Sequence, residues 1–134
     1  MLCLNLALLA FIFFGRHPRM GHEGPKAQII ERLEFDQEQI DAYEVLIKEH
    51  QLEVQKLNEY INGLKSELYE YLSQEDHEMS DSILQLIGEK KMQIEQLHFT
   101  HFLDLKNLCN ENQMDLFTLL EKDLVKLFSK KHLP

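Results

Sequence analysis

Seven histidines and two cysteines are the side chains of this 134-residue chain best suited to ligate a metal. Three of the histidines have an informative placement. His98 and His101 stand three apart in "EQLHFTHFLDLKN", where apolar residues recur at helical intervals, so both project from neighbouring positions of one helix surface. His50 occupies a position in an earlier helical stretch where the pattern calls for an apolar residue. Neutral imidazole is the commonest protein metal ligand, and three around one point would suit Zn, Cu, Ni or Co. Glu53, Glu95 and Asp104 each lie within a turn of one of these histidines and could ligate or orient them. The plainer alternative is a structural one. A histidine on an apolar seam commonly stays uncharged and makes one hydrogen bond to a neighbour.

Cys109 is the only thiol after the apolar opening of the chain. It could pair between subunits, coordinate metal, or fill space as a small buried residue at a helix end. Cys3 lies inside the apolar opening and is expected to be inert. The sequence has no Gly-rich phosphate loop, nucleophile elbow, Cys-x-x-Cys or His-Glu-x-x-His, so it does not read as an enzyme.

The elements that must position these residues are helices. The chain has no Trp, only three Pro and five Gly, and no proline between Pro25 and Pro134, which leaves a long span free of an obligatory break. Pro25 suits the first turn of a short helix, Lys26 to Leu33, with Ile29, Ile30 and Leu33 on one side. Asp36 and Gln39 form a capping-box pattern that starts a second helix. Its seam is Ile40, Tyr43, Ile47, His50, Val54, Leu57, Ile61, Leu64, Leu68 and Tyr71. The polar stretch "SQEDHEMSDS" breaks it, and Ser80 or Asp81 can start the next helix. A second seam runs through Ile83 or Leu84, Ile87, Lys91, Ile94, Leu97 or His98, His101, Leu105 and Leu108. Asn110 and Gln113 repeat the capping box, and Met114, Phe117, Leu120, Leu124 and Phe128 line a final helix.

Two long helices joined by a turn form an antiparallel hairpin. If the turn centres near residue 76, partners have numbers adding to about 152, which brings His50 level with His101. Gly63 and Gly88 meet the same condition, and suggest a close helix approach or a shared bend.

Three segments follow. Residues 1–15 begin with the apolar run "MLCLNLALLAFIFFG", read as a membrane anchor or signal-anchor whose start is truncated. Fourteen helical residues reach roughly 21 Å, short of the ~30 Å hydrocarbon core. Residues 16–25 are a Gly- and Pro-containing linker. Residues 26–134 are the all-helical domain. Leaving out Arg16, Arg19 and Glu23, the rest of the chain holds 12 basic and 22 acidic side chains, a balance of −10. That argues against nucleic acid as a partner, since phosphate binding needs a basic face. It suits cationic partners, metal ions included, and equally a solvated acidic surface.

A short helix, a long helical hairpin and a final helix behind an anchor, with the helix starts "FDQEQ" and "LCNENQ", resemble the CpxP/Spy/CnrX superfamily. Its repeated motif is Leu-Thr-x-x-Gln. Asp36 and Asn110 stand in the Thr place and keep its capping chemistry. "LHFTHFLDLKNLCNENQ" is similar to the anchored, metal-sensor branch. The resemblance implies an all-α hooked hairpin of four helices and a homodimer. It also implies a single-pass inner-membrane protein with its soluble domain in the periplasm.

Three functions are open on this reading. The first is a periplasmic heavy-metal or envelope-stress sensor that signals to a membrane partner and binds a divalent ion at His50, His98 and His101. The second is an ATP-independent chaperone holding unfolded clients. Its candidate surface is Phe99, Phe102 and Leu103 on the second long helix with Leu116, Phe117 and Leu120 on the last. The third is an interaction module without a ligand.

Overall fold

Each helix start obeys local chemistry. In the computed structural model, which describes residues 24–129, Pro25 opens α1 (Pro25–Leu33), where its missing N–H costs nothing. α1 ends at Glu34, whose left-handed backbone (φ 55°, ψ 45°) turns the chain. The Phe35 amide closes that turn on the Ile30 carbonyl at 3.1 Å. α2 (Gln37–Glu70) begins one residue after Asp36. A 3-10 turn (Tyr71–Ser73) and a short loop lead to α3 (Glu78–Leu108), and a second 3-10 turn (Glu111–Gln113) leads into α4 (Met114–Ser129). No strand occurs among the described residues, so the chain is all-α as the sequence implied.

Two boundaries differ from expectation. α1 starts at Pro25 rather than Lys26. α3 starts at Glu78 rather than at Ser80 or Asp81, because the Asp76 carboxylate accepts the Glu78 amide at 3.0 Å and so caps the helix earlier. The apolar opening and nearly all of the linker lie outside the described residues. No described helix is long and apolar enough to cross a membrane.

The chain divides into two compact units. The first, residues 46–103, holds most of α2 and α3. Val54, Ile61 and Leu64 of α2 and Ile83, Ile87 and Ile94 of α3 are its buried residues. The pairing is antiparallel: His50 meets His98, while further along α2 the Tyr60 ring lies 5.0 Å from the Lys90 ammonium, further back along α3. The seam of α3 resolves to Ile83, not Leu84, which is exposed. Lys91 is exposed too, because a charged side chain gains more from water than from the seam. A Cβ at Gly63 or Gly88 would meet nothing within 4 Å, which corrects the close helix approach inferred from them.

The second unit, described over residues 24–45 and 104–129, buries Ile29, Leu33, Phe35, Tyr43, Leu105, Cys109, Phe117 and Leu120. Phe35 meets Tyr43 edge to face at 5.9 Å. Arg32 of α1 reaches Asp123 of α4 at 2.7 Å. Phe128, placed on the buried line of the last helix by periodicity, is exposed, as befits the penultimate residue of α4.

Candidate functional site

The three histidines singled out by spacing meet within the first unit. His50 extends from α2, and His98 and His101 from successive turns of α3. His50 Nε2 lies 3.0 Å from His98 Nδ1, one carrying the hydrogen and the other accepting it. The His50 and His101 rings stack at 4.4 Å with their planes 23° apart, and the His50 and His98 rings lie 5.1 Å apart. His101 also touches Phe102 edge-on at 5.9 Å. Burial, and then the nearby His98, push the His50 imidazole down to about 4. Burial lowers His98 as well. Both rings are therefore neutral at pH 7, the form that donates a lone pair to a metal.

The donor chemistry suits a borderline ion. His50 and His98, however, aim their nitrogens at each other in a hydrogen bond, so only their separation is that of a ligand pair, and the rings must turn to aim at one ion. Adjacent nitrogens on a tetrahedral ion with ~2.0–2.1 Å bonds stand roughly 3.3 Å apart, close to the His50–His98 separation of 3.0 Å. His101 is stacked on His50, so its ring lies alongside rather than pointing its in-plane lone pair at the same place; it must turn to ligate. Among the described residues no group of three or more His, Cys, Asp or Glu side chains stands ready to hold a metal ion. Glu53 is exposed and lies 3.5 Å from Lys56. Glu95 is exposed, and Asp104 is half-buried.

The two helix starts flagged by their repeated motif form a second polar centre, in the other unit. The Asp36 carboxylate accepts the Gln39 amide N–H at 2.8 Å, while Gln39 Oε1 accepts the Asp36 N–H at 3.0 Å. Asn110 and Gln113 repeat this at 3.2 and 2.9 Å. Both capping boxes are thus present as expected, and the two glutamines also join each other. Gln39 Nε2 donates to Gln113 Oε1 at 2.7 Å, and Gln113 Nε2 donates to Gln39 Oε1 at 3.0 Å. Each amide spends its second hydrogen on the carbonyl two residues before the other's cap. Gln39 reaches Leu108 at 2.7 Å, and Gln113 reaches Glu34 at 3.0 Å. Gln113 is buried, yet among the described residues no buried side-chain nitrogen or oxygen lacks a partner. The repeat marked both helix starts; that their glutamines join is a tertiary contact that the sequence reading missed.

The proposed client surface divides. Phe99 and Leu103 are exposed, and Phe102 and Leu116 are half-buried. Phe117 and Leu120 are buried inside the second unit, at 6% and 1% exposure, because they face its core from α4. They offer no surface to a client. Cys109 is buried and forms no disulfide among the described residues, with Sγ donating to the Leu105 carbonyl at 3.5 Å, and burial raises its thiol above the usual range. Comparison with protein-family models, curated proteins and solved structures gives no match.

Proposed function

We propose that this chain is a metal-responsive sensor of the CpxP/Spy/CnrX kind. It is a hooked helical hairpin, anchored through its apolar opening and facing the periplasm as a homodimer. It takes up a divalent transition ion such as Zn, Cu, Ni or Co through His50, His98 and His101, and passes the change to a membrane partner. The observation that carries this reading is the meeting of three imidazoles from two helices at one level, two of them held neutral by burial. The resemblance of the helix starts to the family motif gives the setting. Turning His50 and His98 off their hydrogen bond, and His101 off its stack on His50, is the movement that ion binding would demand. Such a movement changes the packing between α2 and α3, which is what a sensor needs to transmit.

Titration calorimetry of the full chain in detergent, with each of the four ions at pH 7, tests this. Binding should be lost in His98→Ala and weakened in His101→Ala, and His77→Ala should not alter it. The ion should also raise the melting temperature by mass action on the native state. No heat from any of the four ions would leave a structural histidine cluster in place of a sensor.

A second reading has its own observation. Phe99 and Leu103 stand exposed beside the histidines on α3, as a surface that holds unfolded clients would require. Suppression of client aggregation without nucleotide, unchanged by His50→Ala, would put the chaperone first.

A further inference from the structure

The last turns of α4 reach past the start of α1. The Gln113 side chain donates to the Glu34 carbonyl at 3.0 Å, so the start of α4 meets the end of α1. Arg32, in the last turn of α1, reaches Asp123, further along α4, at 2.7 Å. A helical side chain leans toward the start of its own helix, so this contact needs α1 to run back alongside α4. The two helices are therefore antiparallel, with Ile29 and Leu33 buried in the same unit as Phe117 and Leu120. α1 has nine residues and α4 sixteen. At a rise of 1.5 Å per residue, α4 overhangs the start of α1 by about 10 Å.

That overhang is apolar and basic together. Val125 and Phe128 are 60% and 70% exposed. Asp123 is held by Arg32, and the other charged residues of the last two turns are the exposed Lys122 and Lys126. Glu121, a turn before Val125, is the nearest exposed acid along the helix. The charge is local. Residues 122–134 hold four lysines and one acid, which leaves 10 basic and 22 acidic side chains to residues 1–121. The overhang also lies on the side from which the chain arrives. α1 starts at Pro25, and residues 15–23 separate it from the apolar run of residues 1–14. Nine residues span at most roughly 32 Å. A bilayer holding the apolar run therefore has its surface within reach of the end of α4.

We propose that the end of α4 docks on the surface of the bilayer that holds the chain. Val125 and Phe128 enter the acyl boundary of an anionic leaflet, and Lys122 and Lys126 lay their stems along it with their ammonium groups on its phosphates. This rests on the anchoring in the reading above and is independent of its metal. Tethering makes a weak surface contact sufficient, because the apolar run holds the helix end at high effective concentration beside the lipid.

The chain has no tryptophan, so Phe128→Trp supplies a single reporter in the full chain reconstituted into vesicles. In vesicles of phosphatidylglycerol with phosphatidylcholine its emission should lie to the blue of its emission in phosphatidylcholine alone, and brominated acyl chains should quench it. Both effects should be lost in phosphatidylcholine alone, and also at about 1 M salt, where the Debye length falls to ~3 Å. Lys122→Glu/Lys126→Glu should lose them on anionic vesicles too, with helicity by circular dichroism unchanged. Phe99→Trp, in the other unit, is the control and should stay unquenched. Flotation with the vesicles reports the anchoring separately. A chain that does not float overturns the anchoring and this proposal with it, whereas one that floats with Phe128→Trp unquenched overturns this proposal alone. A blue shift without quenching, the mark of cover by the chain's own apolar opening or by a second copy, would overturn it. So would equal quenching of Phe99→Trp, or quenching indifferent to lipid charge and to the lysine reversals.

Discussion

A proton arriving at His50 finds less water than it would in an unfolded chain, and a second imidazole close by. That is why its folded value falls from 6.5 to about 4. Between those values the unfolded chain holds a proton that the folded chain does not, so stability rises with pH across the window. It is full above about 6.5 and is lost as pH falls toward 4. The urea midpoint should therefore drop between pH 7 and pH 5.5. The loss should be on the order of 1 kcal/mol once the water still reaching the rings is discounted. Most of that drop should vanish in His50→Gln. An equal drop in the variant would assign the pH dependence to other groups. Glu34 offers a test of a different kind. Its left-handed backbone is one that side chains resist, and Glu34→Gly should stabilise by roughly 0.5–1 kcal/mol in thermal melts. A loss instead would mean that the Glu34 side chain contributes more than the backbone strain takes away. At this scale the sequence was informative about identity and poor about contact. The level of His50 and His101 followed from helix pairing. That His50 would bond His98 and stack on His101, instead of pointing all three rings inward, depends on side-chain rotamers that spacing does not encode.

Helix starts are where the sequence spoke most clearly at the scale of the element. Asp36 with Gln39, and Asn110 with Gln113, are local patterns, and local hydrogen bonds satisfy them as soon as the helix forms. Ile83 over Leu84, and the exposure of Lys91, were less legible, because adjacent positions on a helix differ by 100° and only the partner helix decides which is covered. The joining of the glutamines is a tertiary event and was not legible at all. It makes a testable claim about energy. Gln113→Ala removes a cap and leaves the Gln39 amide and the Glu34 carbonyl without their partner. The cost should be about 2–3 kcal/mol by urea denaturation. Gln39→Ala should behave alike. The double variant should cost less than the two added, by on the order of 1 kcal/mol, since the amide pair can be lost only once. Strict additivity would mean that each glutamine serves only its own helix. Gln39→Glu keeps the cap acceptor but removes both donated bonds, so it should recover only part of the loss.

At the scale of the whole molecule, the two units differ in what holds them. Residues 24–45 and 104–129 combine three-dimensional burial from α1, α4 and the ends of the long helices with the glutamine pair. Residues 46–103 are an antiparallel pair of helices with six wholly apolar buried residues, and two helices alone bury too little surface to be stable with much margin. The exposed Phe99 and Leu103 of α3 belong to this less supported unit, and burying them in the proposed homodimer would add apolar contact to it. Hydrogen exchange of the full chain should show this. Amides around Val54, Ile61, Ile87 and Ile94 should exchange faster than those around Tyr43, Leu105 and Leu120 in dilute protein. Raising the concentration through the dimer Kd should slow the first set several-fold and leave the second nearly unchanged, because mass action protects only what association stabilises. Gln113→Ala should do the reverse, speeding the second set at any concentration. Exchange that slowed equally in both sets would show that the chain opens as one cooperative body. It would place the support for α2 and α3 in the glutamine-joined unit rather than in a second copy.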